Sequence, residues 1–307
     1  SGIGSPPLRY GENPHQAAIF YSDNLSFGPS ISSAVQLQGK QLSYNNLLDF
    51  DAALSIVTEF SEPTAIVVKH NNPCGAASAK NLEQAYELAI NTDPQSSFGG
   101  IISFNQEVGC KLAEKITNSF KEGVIAPSFT KEALEVLSKK GNLRVLETGS
   151  LEDYERNPTL RSLDKGWLFQ ETDEAMIDIS NCEVVTKRKP TDEEIASLQF
   201  GWKIVKHVKS NAIVFAKQKR TVGIGAGQMS RIDSVKIATF KSIPNPKDSV
   251  MASDAFFPFR DGIDEAAKEG ITAVVQPGGS VRDQEVIDAA NEHNIAMVFT
   301  GMRHFKH

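Results

Sequence analysis

A lysine, a histidine and two asparagines stand together at Lys69-His70-Asn71-Asn72, directly after the apolar run Ala65-Ile66-Val67-Val68. An ammonium beside an imidazole suits attack by an amine on a carbonyl-type carbon. The imidazole removes the proton and the ammonium stabilises the oxyanion that develops. Asn211 adds an amide able to orient either group. Arg9 and Arg303 are candidate phosphate clamps, because a guanidinium meets phosphate oxygens with two parallel hydrogen bonds. Phe256 and Phe259, either side of Pro258, could sandwich a flat heterocycle, while Phe257 reads as core. Residue chemistry alone stops at a transferase, or a binding module, for a phosphorylated planar metabolite.

The run at 65–68 is apolar throughout and rich in β-branched residues, the mark of a strand buried on both faces. Pro73 lacks an N–H and is expected to end any central strand there, with Gly75 permitting a sharp turn. Such a strand delivers Lys69 and His70 into a crevice at its C-terminal end, where open α/β sheets hold ligands. An ordinary polar strand-end loop is the plainer alternative. Short strands are expected at 18–21 and 35–38, and helices at 47–60, 82–90, 112–120 and 131–139. Further strands fall at 101–104, 123–126 and 143–146. Gly99 and Gly100 would let a ligand approach the backbone ahead of one of them.

Residues 149–189 are less periodic and more charged, a connection between halves. Thr191, with Glu194 three positions on, forms a capping box that opens a helix running to about 208. Strands at 211–217, 221–225, 250–254, 273–276 and 296–299 then alternate with helices from about 228, at 263–269 and at 284–291. This alternation argues an α/β fold with a parallel or mostly parallel sheet. Thr-Ala-Ile-Val-Val-Lys at 64–69 is echoed by Asn-Ala-Ile-Val-Phe-Ala-Lys at 211–217, each after a helix. The echo reads as a duplicated unit, 1–148 and 190–307, joined by 149–189.

Composition narrows the class. Of 307 residues, 40% are hydrophobic and 23% charged, which suits a globular chain of two ordinary domains. A net charge of −6 argues against a general nucleic-acid or membrane binder and leaves room for a local basic pocket. Cys74, Cys110 and Cys182 form no CxxC and no disulfide framework, which fits a cytoplasmic location. Residues 1–5 look like a linker, so the chain reads as a piece of something longer. Pro73-Cys74 lacks the second cysteine and the His-x-Glu of a zinc deaminase, so zinc is not expected. Gly223-x-Gly225-x-Gly227 departs from GxGxxG at Gln228, and neither a Walker loop nor a Gly-x-Ser-x-Gly elbow occurs.

Leu-Arg-Tyr-Gly-Glu-Asn-Pro-His-Gln at 8–16, Val-Lys-His-Asn-Asn-Pro-Cys-Gly at 68–75 and Ser-Asp-Ala-Phe-Phe-Pro-Phe-Arg-Asp at 253–261 together resemble one family closely. It is the formyltransferase part of AICAR transformylase/IMP cyclohydrolase. Gly-Ile-Gly-Ala-Gly-Gln at 223–228, Gln-Pro-Gly-Gly-Ser-Val-Arg-Asp at 276–283 and the Arg-His-Phe-Lys-His ending agree in order. The resemblance implies two tandem cytidine-deaminase-like α/β units with mostly parallel mixed sheets. It implies formyl transfer from 10-formyltetrahydrofolate to the 5-amino group of aminoimidazole carboxamide ribonucleotide (AICAR), in a homodimer with sites at the interface.

By the same resemblance Lys69 and His70 are the catalytic pair and Asn211 positions His70. Arg9, Tyr10 and Arg303 hold the nucleotide, with Gly99, Glu122, Phe256 and Asp261 close to it. Glu122 stands where some members have Asp. Ser230, Arg231, Ile232 and Pro258 resemble the folate-side surface. A monovalent cation, K+, is associated with the strand-end Asp254 and with His307; Val208 and Ala212 stand where some members offer hydroxyl ligands. No counterpart of the cyclohydrolase domain precedes the region, so no ring closure to inosine monophosphate is expected. Two rivals are AICAR formylation from formate and ATP, and a non-catalytic nucleotide or folate binder.

Overall fold

The computed structural model describes residues 7–22 and 28–307; the linker-like residues 1–5 lie outside them. The first half runs β1 (Val35–Gln38), α1 (Tyr44–Val57), β2 (Thr64–Lys69), β3 (Asn72–Ser78), α2 (Leu82–Ile90), α3 (Pro94–Ser97), β4 (Ile101–Phe104), α4 (Cys110–Thr117), β5 (Gly123–Ala126), α5 (Lys131–Ser138) and β6 (Arg144–Glu147). A separate hairpin follows, β7 (Thr159–Leu163) and β8 (Gly166–Gln170). The second half runs β9 (Glu183–Val184), α6 (Asp192–Val205), β10 (Ile213–Lys217), β11 (Arg220–Gly225), α7 (Arg231–Lys241), β12 (Val250–Ser253), α8 (Asp261–Lys268), β13 (Ala273–Gln276), α9 (Asp283–Glu292) and β14 (Ala296–Phe299).

Twelve strands make one sheet in the order β1-β6-β5-β4-β2-β3-β11-β10-β12-β13-β14-β9. In the first half β2 is antiparallel to β3 and β4, β4-β5-β6 are parallel, and β1 closes the edge antiparallel. The second half repeats this plan with β10, β11, β12-β13-β14 and β9. The sheet is therefore mixed, with its parallel ladders on the flanks and antiparallel hairpins at the centre. Because β3 and β11 meet antiparallel, the halves lie head to tail.

Alternation along the strands builds three layers. Ile66, Val68, Val214 and Ala216 face α1 and α6, which share one core spanning both halves. Ala65 and Val67 face the opposite way, toward α2, α4 and α5. Ile213 and Phe215 pack with α7, α8 and α9. The two central helices are each 14 residues long and each starts with a capping box, Ser43 with Asn46 and Thr191 with Glu194. Helix α7 lies so close on β11 that a Cβ on Gly225 would sit 1.9 Å from the Ser234 carbonyl oxygen. Gly223, whose Cβ would meet the Ala238 carbonyl oxygen at 2.1 Å, serves the same helix packing.

Local expectations changed in three places. Residues 18–21 make only a single bridge, Ile19 to Pro7. Pro73 lies inside β3 opposite Val68, where the register slips, so its missing N–H falls at a bulge. The connection at 149–189 contains the β7-β8 hairpin, every residue of which is exposed. Among the described residues no helix is long and apolar enough to cross a membrane.

Candidate active site

The strand register gathers the chemistry on one edge of the sheet. Lys69 pairs with Asn72, Val68 with Ile101, Ile101 with Gly123 and Gly123 with Arg144. The hairpin turn after β2 and the starts of β4, β5 and β6 therefore lie side by side. In the second half Ile213 pairs with Gly225 and Ser253, placing the start of β10 level with the ends of β11 and β12. Asn72 Oδ1 accepts the Lys209 N–H at 2.9 Å and joins the two groups.

The turn itself is two residues, His70 and Asn71, with φ of 50° and 61°. Two successive left-handed residues between paired strand ends match the right-handed twist of a hairpin. Asn tolerates this conformation and His visits it more than most residues. The turn falls here, ahead of Gly75, because two residues suffice to reverse β2 into β3.

Lys69 Nζ donates to the carbonyl oxygens of Phe98 and Gly99, 3.1 Å each. Gly99 has φ of 68°, and a Cβ there would lie 3.1 Å from Nζ, so glycine leaves the ammonium its berth. His70 is exposed, and its imidazole makes no hydrogen bond among the described residues. Asp49 on α1 accepts the Asn71 N–H at 2.6 Å. Burial raises the Asp49 carboxyl above its ordinary value, against the pull of the Asn71 N–H and the charges of His70 and Lys69. Behind the turn, burial pushes the Cys74 thiol up to about 12, which leaves it an inert thiol. Lys121 is buried with Nζ donating to Ser119 Oγ at 2.8 Å, and burial lowers it.

Among the described residues Asn211 makes no hydrogen bond to His70. Its Nδ2 donates to the carbonyls of Gln228 at 2.8 Å and Met229 at 3.1 Å, and its Oδ1 accepts from Arg231 Nη2 at 2.7 Å. The amide fixes the loop leading into α7. Arg231 is buried and reaches Asp254 Oδ1 at 2.5 Å and Ser253 Oγ at 2.8 Å. Its side chain thus belongs to the core and offers a ligand only its backbone. Ser230 caps α7; Ile232 on that helix and Pro258, between β12 and α8, are half-buried.

The donor set at Asp254 does not fit a cation. Its carboxylate is fully buried and already holds Arg231, the Ser210 hydroxyl and the Ala212 N–H. His307 is exposed with its ring 5.3 Å from that of Phe305, and is not joined to Asp254. No cluster of three or more His, Cys, Asp or Glu suited to a metal occurs among the described residues.

The remaining candidates ring this edge. The Ser210 N–H to Lys306 carbonyl bond (2.9 Å) and the His304 N–H to Asp254 carbonyl bond (2.9 Å) hold the C-terminal tail, and so Arg303, against the start of β10. Arg303 lies exposed over the Phe305 ring at 4.6 Å. Arg9 lies exposed over Tyr10 at 5.5 Å, and the loop carrying it docks on α1 where Asn45 Nδ2 donates to the Glu12 carbonyl at 3.1 Å. Phe256 and Phe259 are exposed and Phe257 is buried. Glu122 is paired with Arg144 at 2.6 Å, and Asp261 accepts the Gly262 N–H at 2.7 Å on its own helix. Asp49 was absent from the sequence reading; it lies between Leu48 and Phe50 on α1, and with Asp51 two positions on nothing in the pattern singles it out.

The described residues thus bring an anchored ammonium and an exposed imidazole together at one end of an α/β sheet, with the exposed guanidinium groups of Arg9 and Arg303 on loops beside it. A sequence profile of the AICARFT/IMPCHase bienzyme family matches residues 4–241. The chain belongs to that family, whose members are enzymes of purine biosynthesis.

Proposed function

We propose that this chain transfers a formyl group from 10-formyltetrahydrofolate to the 5-amino group of AICAR, giving the formylated ribonucleotide (FAICAR) and tetrahydrofolate. The observation that carries the reading is the Lys69-His70 pair, an anchored ammonium next to an exposed imidazole that makes no hydrogen bond among the described residues. The amino nitrogen forms a bond to the formyl carbon, and His70 takes the proton that nitrogen sheds. Lys69 stabilises the oxyanion on the tetrahedral carbon. Collapse breaks the bond to N10 of the folate, which leaves with a proton.

Arg9, Tyr10 and Arg303 hold the nucleotide, with Gly99, Glu122, Phe256 and Asp261 near it. The backbone at Ser230 and Arg231, with Ile232 and Pro258, faces the folate. Asn211 acts by fixing the Gln228-Met229 loop ahead of that surface. The tandem cytidine-deaminase-like units are about 1–148 and 190–307, with β9 from the connecting segment completing the second half of the sheet. The reaction runs in the cytoplasm, in keeping with three free cysteines. The working form is a homodimer, a reading supported by the β7-β8 hairpin. Leu160, Trp167 and Phe169 point from one face of it and Leu163 and Leu168 from the other, all of them more than half exposed.

Turnover of AICAR with 10-formyltetrahydrofolate, wild type against His70→Ala, tests the reading. The expected loss in kcat is about 10²- to 10⁴-fold, the usual worth of a general base. Undiminished turnover in the variant would move the base elsewhere. No turnover by folded wild type, with activity instead on formate and ATP, would overturn the donor.

A further inference from the structure

We infer that Asp49 is a positioning residue for the Lys69-His70 pair: from α1 its carboxylate holds the His70-Asn71 turn in its left-handed conformation, and so aims the imidazole and the ammonium. The inference rests on the formyl-transfer reading for its functional consequence and on the hairpin geometry for its structural one. Two consecutive non-glycine residues at positive φ are unfavourable on their own and persist where surroundings over-determine them. Here the over-determining contact is a charge-assisted bond of 2.6 Å from the Asn71 N–H to Asp49 Oδ1. The opposite side of the turn is held by Asn72 Oδ1 on the Lys209 N–H. The groups facing the carboxylate are the Asn71 N–H, Lys69 and His70.

The molecule carries its own control. Helices α1 and α6 have equal length, and Asp49 and Ser197 are each the sixth residue of their helix. Lys69 and Lys217 each end the strand before a two-residue turn. In the second half that turn is Gln218-Lys219, and only Gln218 has positive φ, at 54°. Ser197 sends its hydroxyl back to the Glu193 carbonyl at 2.8 Å instead of to the turn. Lys217 is taken by Asp248 at 3.7 Å and by the Lys247 carbonyl at 3.2 Å. The half without an imidazole at the turn is the half without a carboxylate beneath it.

The test compares Asp49→Ala and Asp49→Asn in the full chain. Asn keeps an oxygen that can accept the Asn71 N–H, whereas Ala does not. Amide hydrogen exchange at Asn71 should be protected in wild type and in Asp49→Asn, and lost in Asp49→Ala. In formyl transfer, kcat should fall about tenfold to a hundredfold in Asp49→Ala with the KM for AICAR little changed. Asp49→Asn should restore kcat to within about threefold of wild type. Equal Asn71 protection in Asp49→Ala, or an unchanged kcat, would overturn the inference. So would an Asp49→Asn variant as impaired as Asp49→Ala, since the hydrogen bond would then not be what matters. If wild type shows no formyl transfer, the functional reading fails, and Asn71 exchange alone still decides whether Asp49 holds the turn.

Discussion

Replacing Arg231 by leucine should unfold this protein far more readily than losing a surface arginine would. The Asp254 side chain is 0% exposed and that of Arg231 6%, with the two in contact at 2.5 Å. After Arg231→Leu the carboxylate keeps the Ser210 hydroxyl and the Ala212 N–H but loses the one cation paired with it among the described residues. Removing one partner of a buried pair costs about 3–5 kcal/mol, because the other charge stays desolvated. Asn211 Oδ1 and Ser253 Oγ lose a donor as well, so the upper part of that range is expected. With a urea dependence of about 3 kcal/mol per molar, the unfolding midpoint should drop by about 1.3–1.7 M. Adding Asp254→Asn removes the stranded charge, and the double variant should be milder than the sum of the singles by about 1–3 kcal/mol. Equilibrium urea unfolding of the four proteins measures this. A loss below about 1 kcal/mol in Arg231→Leu, or strict additivity, would refute the buried-pair argument and return Arg231 to the ligand-facing surface.

Acid should weaken the protein through His207. Burial lowers its imidazole from 6.5 to about 4, so the folded state keeps it neutral while the unfolded chain takes up a proton. That contribution is complete above about 6.5 and is lost as pH falls toward 4. Burial opposes ionisation of Glu59, yet the donors His207 and Lys206 outweigh it and bring the carboxyl down to about 2, which extends the loss from 4.5 downward. His207→Gln should flatten the stability profile between pH 4 and 6.5 as followed by chemical unfolding. Gly225→Ala should lower the melting temperature by several degrees or leave the protein insoluble, since its Cβ would press 1.9 Å from the Ser234 carbonyl; an unchanged melting curve would mean that α7 can lift away freely. Trp167→Ser combined with Phe169→Ser should reduce self-association in light scattering. A dimer of undiminished strength would show that the hairpin is not its contact.

Much of the fold was legible because buried strands and amphipathic helices write their periods into the chain. Ala296–Phe299 and Leu82–Ile90 fall where the apolar pattern puts them, and the Thr191-Glu194 capping box opens α6 as read. Strand direction was less legible: an apolar run such as Ile101–Phe104 reads the same whether its neighbour runs with it or against it. Pro73 misled because the rule against proline in central strands holds for regular ladders and gives way at a bulge. The β7-β8 hairpin escaped notice since its apolar residues face outward on both sides, leaving no alternation to see.

At the site, residue types pointed to Lys69 and His70, and the structure adds what no spacing rule carries. Asp49 lies twenty positions before Lys69 and meets the turn only because α1 folds back across β2. Asn211, read as an amide that orients the pair, and Arg231, placed on the folate side by resemblance, bond to each other, with Asp254 as the charge that draws Arg231 inward.

The seam between β3 and β11 has a further consequence. Backbone pairing there is a single register position, Arg220 with Ala77, and the closure is finished by threonines. Thr221 Oγ1 accepts the Ala76 N–H at 2.9 Å, and Thr92 Oγ1 donates to the Thr221 carbonyl at 2.9 Å. Each half therefore serves as the other's edge protection. A chain severed between the halves would bare two strands whose open N–H and C=O groups are templates for indiscriminate pairing. Dissection into separately produced halves is thus a route to aggregates, and what looks like a thin joint is the stitch that keeps both pieces soluble.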